Sequence, residues 1–308
     1  MTKGCQMKLM TPADVVVPDQ EFLVDYHDSV VTGITLARSS RVAVVGLARQ
    51  IADILPVTLK RIESLSESFD DFVVHVVEND STDGTDEILK SWSPDFDVSV
   101  DCRKLDRPHL PAERDAIRTR PLAEYRQSCL EVVEDMDLDY VIVMDFDAWG
   151  GFLTEGIMSS IAHLGEQRRG WPRGGDGEYF AMASVGLGQT EGFVDNEGKR
   201  RWFNYDAWAH RPTWSWRQRP EMWFHHLVPP FGCPPIEVNS AFGGLCVYQF
   251  QDYIKGQYSG VLFGQGDCEH VAFHRSIHKA TGKTMAINPS SVGLMFWHVD
   301  EEEAADAA

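Results

Sequence analysis

The sequence predicts an α/β fold, with a mixed, mostly parallel sheet flanked by helices and a loop-rich C-terminal half. Up to about residue 150, short apolar runs of strand length alternate with segments of helical periodicity, and this alternation indicates βαβ units with parallel strands. The chain has 308 residues, 43% of them hydrophobic, which is enough apolar material for a large packed core. We find no internal repeat and no linker.

The elements follow in chain order. Strands are expected at RVAVVGLA (41–48), FVVHVV (72–77), DVSVD (97–101), YVIVMD (140–145) and EYFAMASV (178–185). Helical spacing of apolar residues marks 51–69, where Pro56 is tolerable only near the helix start, then a short helix ending near Trp92, then 122–136. We expect one domain over 41–300, with a nucleotide-binding half (41–150) and an acceptor-binding half (151–300). Residues 1–40 have poor periodicity and are expected to wrap this domain, and the acidic tail 301–308 is expected to be disordered.

Composition argues against several classes of protein. Lys and Arg number 28 against 47 Asp and Glu, a formal charge of −19, which opposes binding to a phosphate backbone. No run approaches the ~18 apolar residues of a membrane span, and the N-terminus lacks the apolar core of a secretion signal. The six cysteines show no Cys-x-x-Cys spacing, which favours reduced thiols. We therefore expect a cytoplasmic protein with no nucleic-acid partner and no membrane span.

Two acidic turns follow expected strands. Asp145 and Asp147 end an apolar strand, and carboxylates one residue apart can hold Mg²⁺ or Mn²⁺, which neutralises a diphosphate. The second turn, Glu78 to Thr85, offers short polar side chains to a ribose or base, although the same residues commonly cap helices. Ligands of α/β sheets gather at the carboxyl ends of the strands, where both turns lie.

These turns carry a resemblance. VVENDSTDGT resembles the second-strand signature of family 2 type glycosyltransferases with the GT-A fold, and VMDFD lies where that fold places its metal-binding Asp-x-Asp. YDAWAHR (205–211), NSAFGGLCVY (239–248) and CEHV (268–271) are similar, in the same order, to segments of the fungal capsule-associated mannosyltransferases. The resemblance spans about Arg41 to His298. It implies transfer of a sugar from a GDP- or UDP-linked donor to a glycan hydroxyl, with Mn²⁺ or Mg²⁺ as cofactor.

The resemblance also implies roles for individual residues. The expected nucleotide contacts are Gly46, Leu47, Ala48, Glu78, Asp80, Arg126 and Asp145. Arg126 would reach the diphosphate, although Gln127 departs from the Arg-Asn that related enzymes often carry. The metal would be held by Asp145, Asp147 and, as a late third ligand, His298, with His225, His226, His270 and His274 as alternatives. Asp267 or Glu269 would remove the acceptor proton, unless it only caps the following helix.

Other interpretations stay open at this point. Asp206 and Arg211 could form a buried ion pair or serve the site. The tryptophans between Arg201 and Phe224 could pack the core or contact an acceptor sugar. The chain could bind a nucleotide sugar or a glycan without turnover. A magnesium-dependent phosphatase also places an Asp-x-Asp after an apolar strand, but Trp149 stands where that family expects Thr or Val.

Overall fold

The computed structural model describes residues 9–17, 19–108, 116–165, 178–214 and 223–297. Its strands are β1 (Arg41–Ala48), β2 (Asp71–Asn79), β3 (Asp97–Arg103), β4 (Tyr140–Asp145), β5 (Gly151–Phe152), β6 (Tyr179–Gly188), β7 (Phe203–Asn204), β8 (Ile236–Val238), β9 (Leu245–Gln249), β10 (Val261–Leu262), β11 (Gln265–Gly266) and β12 (Thr284–Phe296). Its helices are α1 (Leu23–Ala37), α2 (Leu55–Ser66), α3 (Thr85–Ser91), α4 (Ala116–Val133), α5 (Thr154–Gly165), α6 (Phe250–Tyr253) and α7 (Glu269–Thr281). Two 3-10 turns lie at Pro12–Asp14 and Trp223–His226.

One mixed sheet forms the centre of the molecule, in the order β3-β2-β1-β4-β9-β6-β12-β5, with β7 beside β6 and β8 beside β12. Strands β3, β2, β1 and β4 are parallel, and β9 joins them antiparallel to both β4 and β6. The expected α/β class is therefore confirmed. The C-terminal half completes the same sheet, as its short strands predicted.

The N-terminal strands lie close to their predicted places, because each is a short apolar run that the sheet buries. In β1 every residue from Val42 to Gly46 is buried, and β4 is buried from Val141 to Met144. Pro56 lies in the first turn of α2, where a missing N–H costs no helical hydrogen bond. The carboxyl ends of β1, β2 and β4 consequently meet at one edge of the sheet.

The N-terminal segment differs from the prediction of poor periodicity, since it contains the 15-residue helix α1. Its buried face repeats at helical spacing and packs on α5, where the backbone of Met158 leaves no room for a side chain at Gly33. The opposite face exposes Val24 (69%) and Val31 (63%), so apolar residues lie on both sides of the helix. This spread hides the periodicity in the sequence.

None of the helices in the described ranges combines the length and the apolar composition needed to cross a bilayer. The expected disordered tail, 301–308, lies outside the described residues. The proposed division of the chain into two functional halves remains a prediction.

Candidate functional site

A cleft of about 300 Å³ opens over the carboxyl ends of β1 and β4. Helix α4 forms one wall and the start of α7 another, while the loop before β8 contributes a third. Its lining includes Leu47, Ala48, Asn79, Arg126, Asp145, Asp147, Asp206 and Glu269. Both carboxylates of the Asp-x-Asp therefore face one cavity, as the sequence predicted.

The turn after β4 explains how both aspartates reach the cleft. Asp145 is the last residue of β4, and its backbone N–H donates to the Gly244 carbonyl at 2.8 Å. Phe146 turns into the core, is fully buried, and accepts a hydrogen bond on its carbonyl from the Thr58 hydroxyl at 3.0 Å. Asp147 then emerges on the same side as Asp145.

The two carboxylates influence each other electrostatically. Loss of surrounding water deep in the cleft, together with the Asp145 charge, raises the pKa of Asp147 to about 6. The Asp147 side chain nevertheless stays accessible from the open side of the cleft. Two oxygen-ligand groups that repel each other in an accessible cleft suit a divalent cation.

Arg126 links the carboxyl end of β4 to the start of α7 through two hydrogen bonds. Its Nη2 donates to Asp145 Oδ1 at 2.9 Å and its Nε to Glu269 Oε1 at 3.1 Å. Burial by itself disfavours the guanidinium charge, but the two carboxylates raise the pKa of Arg126 above its usual value. Gln127, the departure from the expected Arg-Asn pair, accepts a hydrogen bond from the Tyr258 backbone N–H at 3.0 Å and so braces a loop.

The two candidate bases occupy different environments. Glu269 lies at the first position of α7 and lines the cleft. Asp267 is buried outside the cleft lining and accepts a 2.5 Å hydrogen bond from Arg211, itself only 1% exposed. Arg211 also donates to the Trp208 carbonyl at 2.6 Å. Arg211 therefore forms a buried ion pair, but its partner is Asp267 and not Asp206, which the sequence had offered.

Asp206 is a fourth carboxylate in the cleft, beside Asp145, Asp147 and Glu269. It accepts hydrogen bonds from the backbone N–H of Gly243 at 3.2 Å and of Ala209 at 3.4 Å. Burial and the neighbouring Asp145 charge raise its pKa to about 7. Gly243 has φ +68°, and a side chain there would collide with the Ser184 carbonyl, so glycine is needed at this contact.

The predicted nucleotide contacts divide into two groups. Leu47 and Ala48 line the cleft, while Gly46 lies beneath it, where an added Cβ would be 2.4 Å from the Met144 carbonyl oxygen. Neither Glu78 nor Asp80 belongs to the lining. Instead, the intervening Asn79 does.

Local hydrogen bonds account for Glu78 and Asp80. Glu78 accepts from the Ser81 N–H at 2.8 Å. Asp80, in the left-handed region at φ +54°, accepts from the backbone N–H groups of Leu105, Asp106 and Arg107 at 2.7 to 3.2 Å. Glu78 and Asn79 are the last two residues of β2, where successive side chains point to opposite faces, and Asp80 follows the strand in the left-handed region.

The expected third metal ligand, His298, lies outside the described residues, which end at Trp297. Within the described ranges there is no cluster of three or more His, Cys, Asp or Glu side chains that could hold a metal ion. Asp145 and Asp147 alone fit the pattern in which Mg²⁺ is bound by one or two carboxylates and completed by phosphate oxygens and water.

The structure adds cleft residues that sequence reasoning did not select. Arg118 and Tyr205 line the cleft, and the Arg118 charge acts on the Asp147 carboxyl. Of the tryptophan-rich stretch, Trp208 lines the cleft. His270, considered in the sequence only as an alternative metal ligand, forms part of the α7 wall. Arg118 precedes Arg126 on α4, but it lies outside the predicted helical pattern of 122–136, because α4 begins at Ala116.

A second cavity, of about 400 Å³, adjoins the cleft. The cleft and this cavity share Arg49, Ile51, Asp147 and Tyr205. Trp149 and Phe296 contribute aromatic rings to its wall, and Asp53 contributes a carboxylate. The cavity offers a second route to the Asp147 carboxylate.

No protein-family model and no curated protein matches the sequence. Three solved structures are similar to this chain. The first is the TarS fragment 1–349 of S. aureus in complex with UDP-GlcNAc, and the second is the mannosyltransferase PcManGT of Pyrobaculum calidifontis in complex with GDP-Man and Mn²⁺. The third is the glucosyl-3-phosphoglycerate synthase of Mycobacterium tuberculosis in complex with Mn²⁺, UDP and phosphoglyceric acid. Their identities to this chain are 12%, 13% and 15%, and their TM-scores are 0.47, 0.46 and 0.42. The matches cover 87%, 89% and 91% of this chain, and 61%, 66% and 77% of the other chains.

The chain spans about three-fifths of the length of the TarS fragment, 63% without a ligand and 61% in the complex with UDP-GlcNAc. Every TM-score is below 0.5, so none of these likenesses decides the fold or the activity of this chain. The strand order of the chain itself defines its fold, and the cleft is the basis of its proposed function.

Proposed function

We propose that this chain is a metal-dependent GT-A glycosyltransferase, which moves a sugar from a GDP- or UDP-linked donor to a hydroxyl of a glycan. The observation that carries the proposal is the pair Asp145 and Asp147, which share one cleft with Arg126 at the carboxyl edge of a parallel sheet. GDP-mannose is the donor that the resemblance to the fungal mannosyltransferases suggests, and a UDP-sugar is the other candidate.

Asp145 and Asp147 would hold Mn²⁺ or Mg²⁺ against the donor. The bound cation supplies charge neutralisation for the departing diphosphate. Arg118, half-buried at the cleft wall, is the cation we assign to the diphosphate, because its charge acts on the Asp147 carboxyl at the proposed metal site. Arg126 then acts as a positioning residue that fixes the orientation of Asp145.

Leu47, Ala48 and Asn79 are the residues we assign to the nucleoside, since they line the cleft at the ends of β1 and β2. Of the two candidate bases, we assign Glu269 to the acceptor proton, because Glu269 lines the cleft, whereas Asp267 lies outside the lining and pairs with Arg211. In the overall transfer, the bond from the sugar carbon to the diphosphate oxygen breaks. A bond from the acceptor oxygen to that carbon forms, and the acceptor proton leaves the hydroxyl.

The adjoining cavity supports a place for the acceptor. It reaches Asp147 beside the residues that follow β1, and the aromatic rings of Trp149 and Phe296 suit a sugar face. His298 remains the proposed third metal ligand, and Phe296, two residues earlier, lies on this cavity. The described cysteines are all free thiols, which supports the proposed cytoplasmic location.

Calorimetric titration of GDP and UDP into the protein, with Mn²⁺ and with a chelator, tests the proposal. We expect one nucleotide to bind only with metal, and Asp147→Ala to abolish that binding. Asp135→Ala is the matched control, because Asp135 is exposed at the opposite edge of the sheet, just before β4 begins. Absence of nucleotide binding under every condition would overturn the proposal.

Turnover separates an enzyme from a protein that only binds. With the preferred donor and Mn²⁺, free nucleotide should be released slowly when water is the acceptor, and faster when glycan acceptors are added. Tight metal-dependent donor binding with no turnover across a panel of acceptors would favour the alternative of a nucleotide-sugar-binding protein.

A further inference from the structure

His270 is a buried polar side chain whose hydrogen bonds are incomplete. It is 2% exposed, belongs to α7, and lines the cleft. Neither ring nitrogen has a hydrogen-bond partner among the described residues, and the nearest carboxylate oxygen, Glu269 Oε1, is 3.8 Å from Nε2. Buried polar atoms in proteins are almost always paired, so a group left open on a cleft wall points to a ligand.

The orientation of the imidazole is held by stacking. The rings of His270 and Phe242 lie 3.8 Å apart between centroids, at an angle of 17°. The Arg126 guanidinium lies 5.0 Å from the same Phe242 ring, and its Nη1 also lacks a partner in the described part of the chain. Two unsatisfied groups, the imidazole and Nη1, therefore share one aromatic support on the cleft wall.

The surroundings define the chemistry of a matching ligand. Burial and the Arg126 charge lower the pKa of His270 well below its usual value, so the imidazole is neutral and offers one donor and one acceptor. A hydroxyl group has the same combination. Asp145 and Glu269 also line the cleft, and their carboxylates would accept hydrogen bonds from hydroxyls but repel a carboxylate.

We propose that His270 and Nη1 of Arg126 bind the hydroxyl groups of an uncharged sugar ring, so that the chain prefers hexose donors to hexuronate donors. This inference rests on the proposed function, since the ring is the sugar of the nucleotide-sugar donor. It assigns to His270 a ligand-binding role that requires no metal coordination.

The first test separates the sugar from the nucleotide. His270→Phe keeps a flat ring against Phe242 and removes both nitrogens. With Mn²⁺, we expect its affinity for GDP or UDP to stay within about twofold, and its affinity for GDP-mannose or UDP-glucose to fall about tenfold, as expected for one or two lost hydrogen bonds. His270→Gln, which restores a donor and an acceptor, should recover part of the loss. His75→Phe is the matched control, because His75 is a buried histidine on β2 outside the cleft lining.

The second test needs no variant. The unaltered protein should bind UDP-glucose at least about tenfold more tightly than UDP-glucuronate, or GDP-mannose more tightly than GDP-mannuronate, because each hexuronate adds a negative charge beside the carboxylates of Asp145 and Glu269. Equal affinities, or a His270→Phe protein that binds the hexose donor as well as the unaltered protein does, would overturn this inference alone. Failure of every nucleotide and nucleotide sugar to bind would overturn the proposed function as well.

Discussion

At the scale of single residues, Arg126 joins two carboxylates that lie far apart in the chain. Asp145 ends β4 and Glu269 begins α7, and the Arg126 side chain between them is 7% exposed. Removing the guanidinium would leave both carboxylates without their cation in a poorly solvated place. Removal of one partner from such a buried network is strongly destabilising.

We therefore expect Arg126→Met to lower the free energy of unfolding by about 3 kcal/mol. Urea denaturation at pH 7 in the presence of a chelator measures this loss.

Arg41→Met is the matched control. Arg41 pairs with Asp71 and Asp137 on the surface, where an ion pair contributes under ~1 kcal/mol to the free energy of unfolding. Similar losses in the two variants would contradict the structural role assigned to Arg126.

Asp206 should make stability depend on pH. Its pKa is raised to about 7 in the folded protein from an ordinary value of 3.8, so between these values the folded state keeps a proton that the unfolded chain releases. Stability from this group is present below pH 4 and is lost as the pH rises towards 7. The side chain in Asp206→Asn does not titrate. The free energy of unfolding of this variant, relative to that of the unaltered protein, should therefore rise by about 2 kcal/mol between pH 5 and pH 8.

The measurement is the urea midpoint of both proteins at the two pH values, with chelator present. Asp135→Asn, which replaces an exposed aspartate outside the cleft lining, should show a flat difference. A flat difference for Asp206→Asn as well would mean that its carboxyl is ionised in the folded protein.

At the scale of elements, the close approach of β1 to β4 supports the acidic turn. Gly46 in β1 pairs with Met144 in β4, and an added Cβ would lie 2.4 Å from both the Met144 carbonyl oxygen and the Phe146 ring. Phe146 separates Asp145 from Asp147. A side chain at position 46 must therefore move the turn that aims the two carboxylates.

We expect Gly46→Ala to reduce the free energy of unfolding by about 2 kcal/mol through overpacking, and to weaken metal-dependent nucleotide binding although no ligand residue is changed. Denaturation and calorimetry together check this expectation. Gly192→Ala is the control, since nothing lies within 4 Å of its added Cβ, and its effect should stay within ~0.5 kcal/mol. A Gly46→Ala protein with normal affinity would show that the turn is not set by this contact.

At the scale of the whole molecule, α1 behaves as a part of the core. Tyr26, Val30 and Ala37 are buried in it, and the Ser29 hydroxyl donates to the Ser159 hydroxyl of α5 at 2.9 Å. The N-terminal segment therefore covers an apolar face of α5 that the rest of the chain does not cover.

Deleting residues 1–38 should expose the buried face of α5 and cost roughly 5 kcal/mol from the lost apolar burial alone. We expect the thermal midpoint to fall by about 10 °C and the shortened chain to self-associate. Calorimetry and sedimentation check both effects, with deletion of residues 301–308 as the control. An unchanged midpoint would show that α1 is dispensable for the fold.

The sequence by itself determined the elements of the N-terminal half and the edge where the acidic turns meet. A buried strand is a local apolar run, and parallel strands necessarily bring their carboxyl ends together. β1 and β4 accordingly have the predicted bounds, and Asp145 and Asp147 share a cleft. The pattern of α1 was hidden, because apolar residues on its exposed face mask its period.

Only the tertiary structure decided which polar side chains enter that cleft. The Arg126 contact with Glu269 joins residues 143 positions apart, and the Arg211 contact with Asp267 spans 56 positions. No local pattern encodes such pairings, so the sequence could not separate Glu269 from the sequestered Asp267. At the end of β2, adjacent side chains point to opposite faces of the strand, which is why Asn79 lines the cleft and Glu78 does not.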